Sequence, residues 1–128
     1  MPDQWIPVMV VDDQLAFRKA AIALVAATEG FEVVGEADSG EAAVHQAAGV
    51  GPLLVLMDIM MPGMGGLRAA RLIQQARPET VLLLMSTYDW ADLPTEVTSC
   101  GAAGYVHKEL LDADVLRNVW RKHRPGHQ

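Results

Sequence analysis

Ile6-Pro7-Val8-Met9-Val10-Val11-Asp12-Asp13 is an apolar run that stops on two adjacent carboxylates, and Leu53-Leu54-Val55-Leu56-Met57-Asp58 repeats the pattern with one. A third run, Val81-Leu82-Leu83-Leu84-Met85, stops on Ser86. None of the three alternates apolar with polar residues, as a strand with one wet face does, so each reads as a strand covered on both faces. Outward from these runs, 31–37 and 104–107 complete a set of five strands. A first helix over 15–27 places Ala16, Ala20, Ala23, Leu24 and Ala27 at steps of three and four. Ser39 caps a short second helix with Ala42, Ala43, Val44 and Ala47, which Gly49 and Gly51-Pro52 end. Further helices are expected over 66–75, stopping before Pro78, over about 90–99, and over 112–122. Strand-helix alternation with short connections gives a doubly wound α/β layer with a parallel sheet and helices on both faces.

Composition narrows the functional classes. A chain of 128 residues is one domain, able to take roughly two thirds of its unfolded surface out of water. That domain is expected to occupy 1–124, with Arg124-Pro125-Gly126-His127-Gln128 having the character of a linker or tail. The single cysteine, Cys100, excludes an internal disulfide framework, and no secretory signal pattern is present, so a reducing cytoplasm is the default. Every apolar run is broken well before the ~20 residues a membrane span needs. A net charge of −6 argues against non-specific nucleic-acid binding, which requires clustered Lys and Arg. The one basic cluster, Arg117 with Arg121-Lys122-His123-Arg124, sits where positive charge suits a helix C-terminus.

In an open parallel sheet, functional groups gather beyond the carboxyl ends of the strands, and Asp12, Asp13, Asp58, Ser86 and Lys108 all fall there. An N-cap role explains one aspartate of the first pair but not the pair together with Asp58. Three carboxylates in one crevice repel unless a cation neutralises them. All-oxygen donors without a nearby His or Cys suit Mg²⁺, with Mn²⁺ as a substitute. In the loop Ile59-Met60-Met61-Pro62-Gly63-Met64-Gly65-Gly66 the glycines permit tight turning beside the site, and one backbone carbonyl could reach the metal. The chain has neither a dinucleotide fingerprint nor a phosphate-cradling P-loop, so NAD and ATP are poor ligand candidates. Ser86 can donate to a phosphoryl oxygen, and Lys108 can pair first with carboxylates and then with phosphoryl oxygens. His107 is out of phase with Lys108 and should point elsewhere; His45, His123 and His127 read as solvated.

Val10-Val11-Asp12-Asp13, Leu56-Met57-Asp58 with Pro62-Gly63, Met85-Ser86 and Gly104-Tyr105-Val106-His107-Lys108 together resemble the receiver domain of bacterial two-component response regulators over essentially the whole chain. The resemblance implies a five-stranded flavodoxin-like sheet of order 2-1-3-4-5. It makes Asp58 the phosphoacceptor, Asp12 and Asp13 the acidic pair holding Mg²⁺ with Asp58, and the Met60 backbone carbonyl a further ligand. Lys108 becomes the lysine that neutralises the phosphoryl group, Ser86 the hydroxyl that meets it, and Tyr105 the aromatic switch residue. It also implies a sensor histidine kinase as donor, dimerisation on phosphorylation, and no enzymatic activity beyond self-phosphorylation and slow self-dephosphorylation. Glu109, where many receivers have proline after the lysine, resembles regulators of the NarL/FixJ kind with a helix-turn-helix output, which would lie outside these residues. Tyr88 and Trp90 beside Ser86 could shield an acyl phosphate, and Pro94 should restrict or delay the helix that follows. Val97, Leu116 and Trp120 could serve a dimer face or the core. The alternatives are a stand-alone receiver, a phosphorylation-independent interaction module, and a small metal-dependent phosphohydrolase.

Overall fold

In the computed structural model, which describes residues 5–126, the three continuous apolar runs lie side by side at the centre of one parallel sheet. In chain order the elements are β1 (Ile6–Val11), α1 (Leu15–Ala27), β2 (Phe31–Ala37), α2 (Gly40–Val50), β3 (Leu54–Asp58), α3 (Gly66–Ala76), β4 (Val81–Ser86), β5 (Gly104–His107) and α4 (Ala113–His123). The strand order is β2-β1-β3-β4-β5, so the chain starts near the middle, winds one way and then reverses to wind the other. The β1–β2 register slips between Val8 and Met9.

Alternation along the central strands sorts their side chains into two cores. Met9, Val11, Val55, Met57, Leu82 and Leu84 meet Ala43 and Ala47 of α2 and Ala69, Ala70 and Ile73 of α3. Val8, Val10, Leu54, Leu56, Leu83 and Met85 meet Ala21 and Val25 of α1 and Leu116 and Val119 of α4. Small residues on α2 and α3 let those helices sit close to a sheet whose own side chains are large. Val97 and Leu116 are buried core residues, and the half-buried Trp120 packs against the α1/α4 core. The Ser39 hydroxyl accepts from Ala42 N at 3.1 Å, capping α2 as expected, and Asp112 does the same for α4 through Val115 N at 2.9 Å. Among the described residues no helix is long and apolar enough to cross a membrane.

Two expectations fail. On α1, Ala16, Ala20, Ala23 and Ala27 are exposed; the inward seam is Phe17, Ala21, Leu24 and Val25. Bulk decides the face, because an alanine left in water forfeits little apolar burial while a phenylalanine or valine forfeits much more. The helix expected over 90–99 does not form. Two 3₁₀ turns, Trp90–Asp92 and Thr95–Thr98, stand there instead, separated by Pro94, whose ψ of 147° is extended. Proline has no N–H to give a helix and biases Leu93 away from helical geometry, so the interruption follows from the one residue. Neither Asp12 nor Asp13 is the N-cap of α1; that position is Gln14, whose N–H is taken by Asp12 Oδ1 at 2.8 Å. The last two residues of the expected tail, and the Trp90 side chain, lie outside what is described.

Candidate functional site

Strand parity builds the site. Asp12 continues the Val8–Val10 phase of β1, Asp58 the Leu54–Leu56 phase of β3, and Lys108 the phase of Val106, which joins the α1/α4 core. All three groups therefore turn to the α1/α4 side of the sheet edge. Ser86 and Tyr105 are in the opposite phase, and Tyr105 packs against the α2/α3 core. His107 also turns away from Lys108, its Nδ1 accepting from Glu109 N at 3.1 Å.

The carboxylates converge. Oxygen atoms of Asp12, Asp13 and Asp58 lie within 4.8 Å of one another. Asp12 and Asp58 are buried, at 0% and 2% exposure, while Asp13 faces solvent. The Lys108 ammonium, on a side chain 7% exposed, stands 2.6 Å from Asp12 Oδ2 and 3.4 Å from Asp58 Oδ2. Its remaining contacts were not anticipated from the sequence. Nζ donates to Gln14 Oε1 at 3.4 Å and lies 4.6 Å from the centre of the Phe17 ring. Arg18 was missed as well: its Nη1 donates to the Asp12 carbonyl at 2.8 Å while Nε pairs with Glu36 at 2.9 Å, fixing the end of β1. Each follows Asp13 in the chain on the helix that covers this face, which is the signal that could have pointed to them.

Asp58 Oδ1 accepts from Met60 N at 3.0 Å, which leaves Oδ2 directed toward Lys108. Burial pushes the Asp58 carboxyl above its usual range and the Asp12 charge adds to this, against the opposing pull of the Met60 N–H and of Lys108. The buried Asp12 Oδ2 has no aligned hydrogen-bond donor among the described residues and is met by Lys108 as a bare ion pair. An under-coordinated buried carboxylate oxygen, two further carboxylates and no sulfur or imidazole in the cluster form a donor set that fits a hard divalent cation such as Mg²⁺.

The hydroxyl groups form a second chain. Ser86 is fully buried, and its Oγ accepts from Tyr88 N at 3.0 Å. The Tyr105 hydroxyl donates to the carbonyls of Tyr88 at 2.5 Å and Ser86 at 3.4 Å. Burial raises the pKa of this phenol above its ordinary value, so it stays a neutral donor. Ser86 and Tyr105 are thus joined through the backbone that follows β4.

A 2-1-3-4-5 parallel sheet with carboxylates, a hydroxyl and a lysine at its carboxyl edge defines a flavodoxin-like α/β domain. Residues 8–120 match the response regulator receiver domain, and the chain belongs to that family. It is 39% identical over 114 residues to the response regulator GacA of Pseudomonas viridiflava, covering 89% of this chain and 53% of GacA. The transcriptional regulatory protein DegU of Brevibacillus brevis is 37% identical over 111 residues, 87% of this chain and 47% of DegU. The receiver domain of the response regulator NarL from Mycobacterium tuberculosis superposes with a TM-score of 0.82 at 30% identity, covering 91% of this chain and 94% of that one. These likenesses place the chain among receivers of the NarL/FixJ type. It spans about half the length of the curated relatives it matches.

Proposed function

We propose that Asp58 accepts a phosphoryl group from a phosphohistidine of a sensor kinase, in a reaction that depends on Mg²⁺, and that the resulting acyl phosphate switches an output. The observation that carries this is the convergence of Asp12, Asp13, Asp58 and Lys108 at one buried sheet edge. Asp58 Oδ2 attacks phosphorus, the P–N bond to the donor imidazole breaks, and its electron pair stays on that nitrogen. Lys108 neutralises charge gathering on the phosphoryl oxygens. Asp12, Asp13, Asp58 and the Met60 carbonyl would hold the metal, which supplies Lewis-acid stabilisation of the transferred group. Ser86 turns its hydroxyl to the new acceptor oxygens, and Tyr105, tied to the same backbone, follows. Slow hydrolysis of the acyl phosphate resets the domain.

The likeness to GacA and DegU supports a transcriptional output carried elsewhere in a longer cytoplasmic regulator, with residues 1–124 as the receiver, the following residues opening a linker, and dimerisation accompanying phosphorylation. Incubation with acetyl phosphate and Mg²⁺, followed by intact mass, tests the core of the proposal. A single labile phosphoryl adduct is expected, lost on removing Mg²⁺ and in Asp58→Ala; absence of an adduct would overturn the proposal. Tyr88 is 47% exposed at the rim beside Ser86, and we expect Tyr88→Ala to speed decay of the adduct by about two- to fivefold through admission of water. An unchanged decay rate would remove any shielding role for this side chain.

A further inference from the structure

The Lys108 ammonium is held by four groups, and two of them are needed elsewhere during the reaction. Asp58 Oδ2, at 3.4 Å, is the oxygen that bonds to phosphorus and so gives up its role as a full counter-charge. Asp12 Oδ2, at 2.6 Å, is shared with any cation the acidic cluster takes up. The other two are uncharged and belong to the start of α1: Gln14 Oε1 at 3.4 Å and the Phe17 ring at 4.6 Å. Gln14 and Phe17 are three residues apart, which puts them on one face of the helix. Phe17 is itself anchored by packing against the α1/α4 core.

We propose that Phe17 is a positioning residue for phosphoryl transfer, its ring face holding the Lys108 ammonium beside Asp58 while the carboxylates around it are engaged. An ammonium over an aromatic face is attracted by the ring's quadrupole, more strongly where water is excluded. Lysine suits the task because its charge is compact and its stem flexible, and the same property makes it wander without a wall. Phe17 supplies that wall without binding a proton, a metal or the phosphoryl group. The inference rests on the phosphoacceptor role proposed for Asp58.

Phe17→Leu removes the ring while keeping an apolar side chain of similar bulk; Phe17→Tyr keeps the ring. With acetyl phosphate and Mg²⁺, the initial rate of adduct formation is expected to fall about tenfold in Phe17→Leu and to stay within about twofold in Phe17→Tyr. Mg²⁺ affinity is measured by calorimetry for each protein, so that the adduct rates are compared with the metal saturating in all three. Ring currents should also shift the Lys108 ε-methylene protons upfield in the unsubstituted and Tyr proteins and release them in Phe17→Leu. Equal adduct rates in the unsubstituted and Leu proteins would overturn the role of Phe17 alone, as would Lys108 protons at ordinary lysine positions in the unsubstituted protein, which decides the matter even if Phe17→Leu folds poorly. No adduct on the unsubstituted protein would overturn the phosphoacceptor role itself, and the transfer role of Phe17 with it.

Discussion

Gly66→Ala is expected to destabilise the domain by about 3 kcal/mol or more in urea unfolding, although alanine is the better helix former. Gly66 is the first residue of α3, and propensity alone would favour alanine there by about 1 kcal/mol. Contact decides the sign. A Cβ at this position would stand 2.0 Å from the Asp58 carbonyl oxygen and 2.6 Å from the Ile59 Cα. Both are backbone atoms, and Ile59 N is tied to Met85 O at 3.0 Å, so β3 cannot yield without breaking its pairing with β4. The helix must back away, opening the α2/α3 core, or the end of β3 must tilt and carry Asp58 with it. For a domain of this size the loss corresponds to a fall in Tm on the order of 10 °C. Gly49→Ala is the control: this exposed residue of α2 has nothing within 4 Å of its would-be Cβ, so a gain of about 0.5–1 kcal/mol is expected. A Gly66→Ala variant as stable as its parent would show that the close approach of α3 to β3 is not a constraint on the fold.

The same close approach shows why some of the molecule was legible in the sequence and some was not. Strands β1, β3 and β4 are enclosed on both faces, so every residue in them before the last of β3 and β4 is apolar and the run announces the strand. Asp12, Asp58 and Ser86 follow, because a polar residue that ends such a run has only the sheet edge to occupy, and Lys108 stands just past the short β5 at the same edge. The glycines after Asp58 marked a turn, but the reason for Gly66 is a contact across space that no local pattern encodes. On α1 the alanines satisfied a helical period on the wrong face, since periodicity counts apolar residues and packing weighs their volume. The segment between β4 and β5 was read as a helix because its composition allowed one, and Pro94 outweighed composition. Gln14, Phe17 and Arg18 escaped for a further reason. Their roles depend on which face of α1 meets the sheet edge, and that face was the one misassigned.

Lys108→Met is expected to cost about 3–5 kcal/mol of stability at neutral pH, and to cost far less in acid. The lysine is the cation beside two carboxylates that have 0% and 2% exposure, and methionine replaces its stem while leaving both charges buried and uncompensated. The pH dependence follows from Asp58. Burial already holds its folded-state pKa above the ordinary carboxylate range, and Lys108 is one of the groups pulling it down. A carboxyl with a raised folded-state pKa contributes favourably below its unfolded pKa, and that contribution is lost as pH rises through the folded value. Without Lys108 the folded value rises further, so the deficit of the variant should be small near pH 4 and should grow until Asp58 is ionised. Asp58→Asn removes the ionisation while keeping an acceptor for Met60 N, and the double variant should recover most of the lost stability at neutral pH. Millimolar Mg²⁺ should raise the Tm of Lys108→Met more than that of the parent, because the ammonium no longer competes for Asp12 Oδ2. Urea unfolding across pH 4 to 8, with and without Mg²⁺, measures all of these. A deficit independent of pH would mean that Lys108 stabilises the domain through packing of its stem against Phe17, rather than by neutralising the carboxylates.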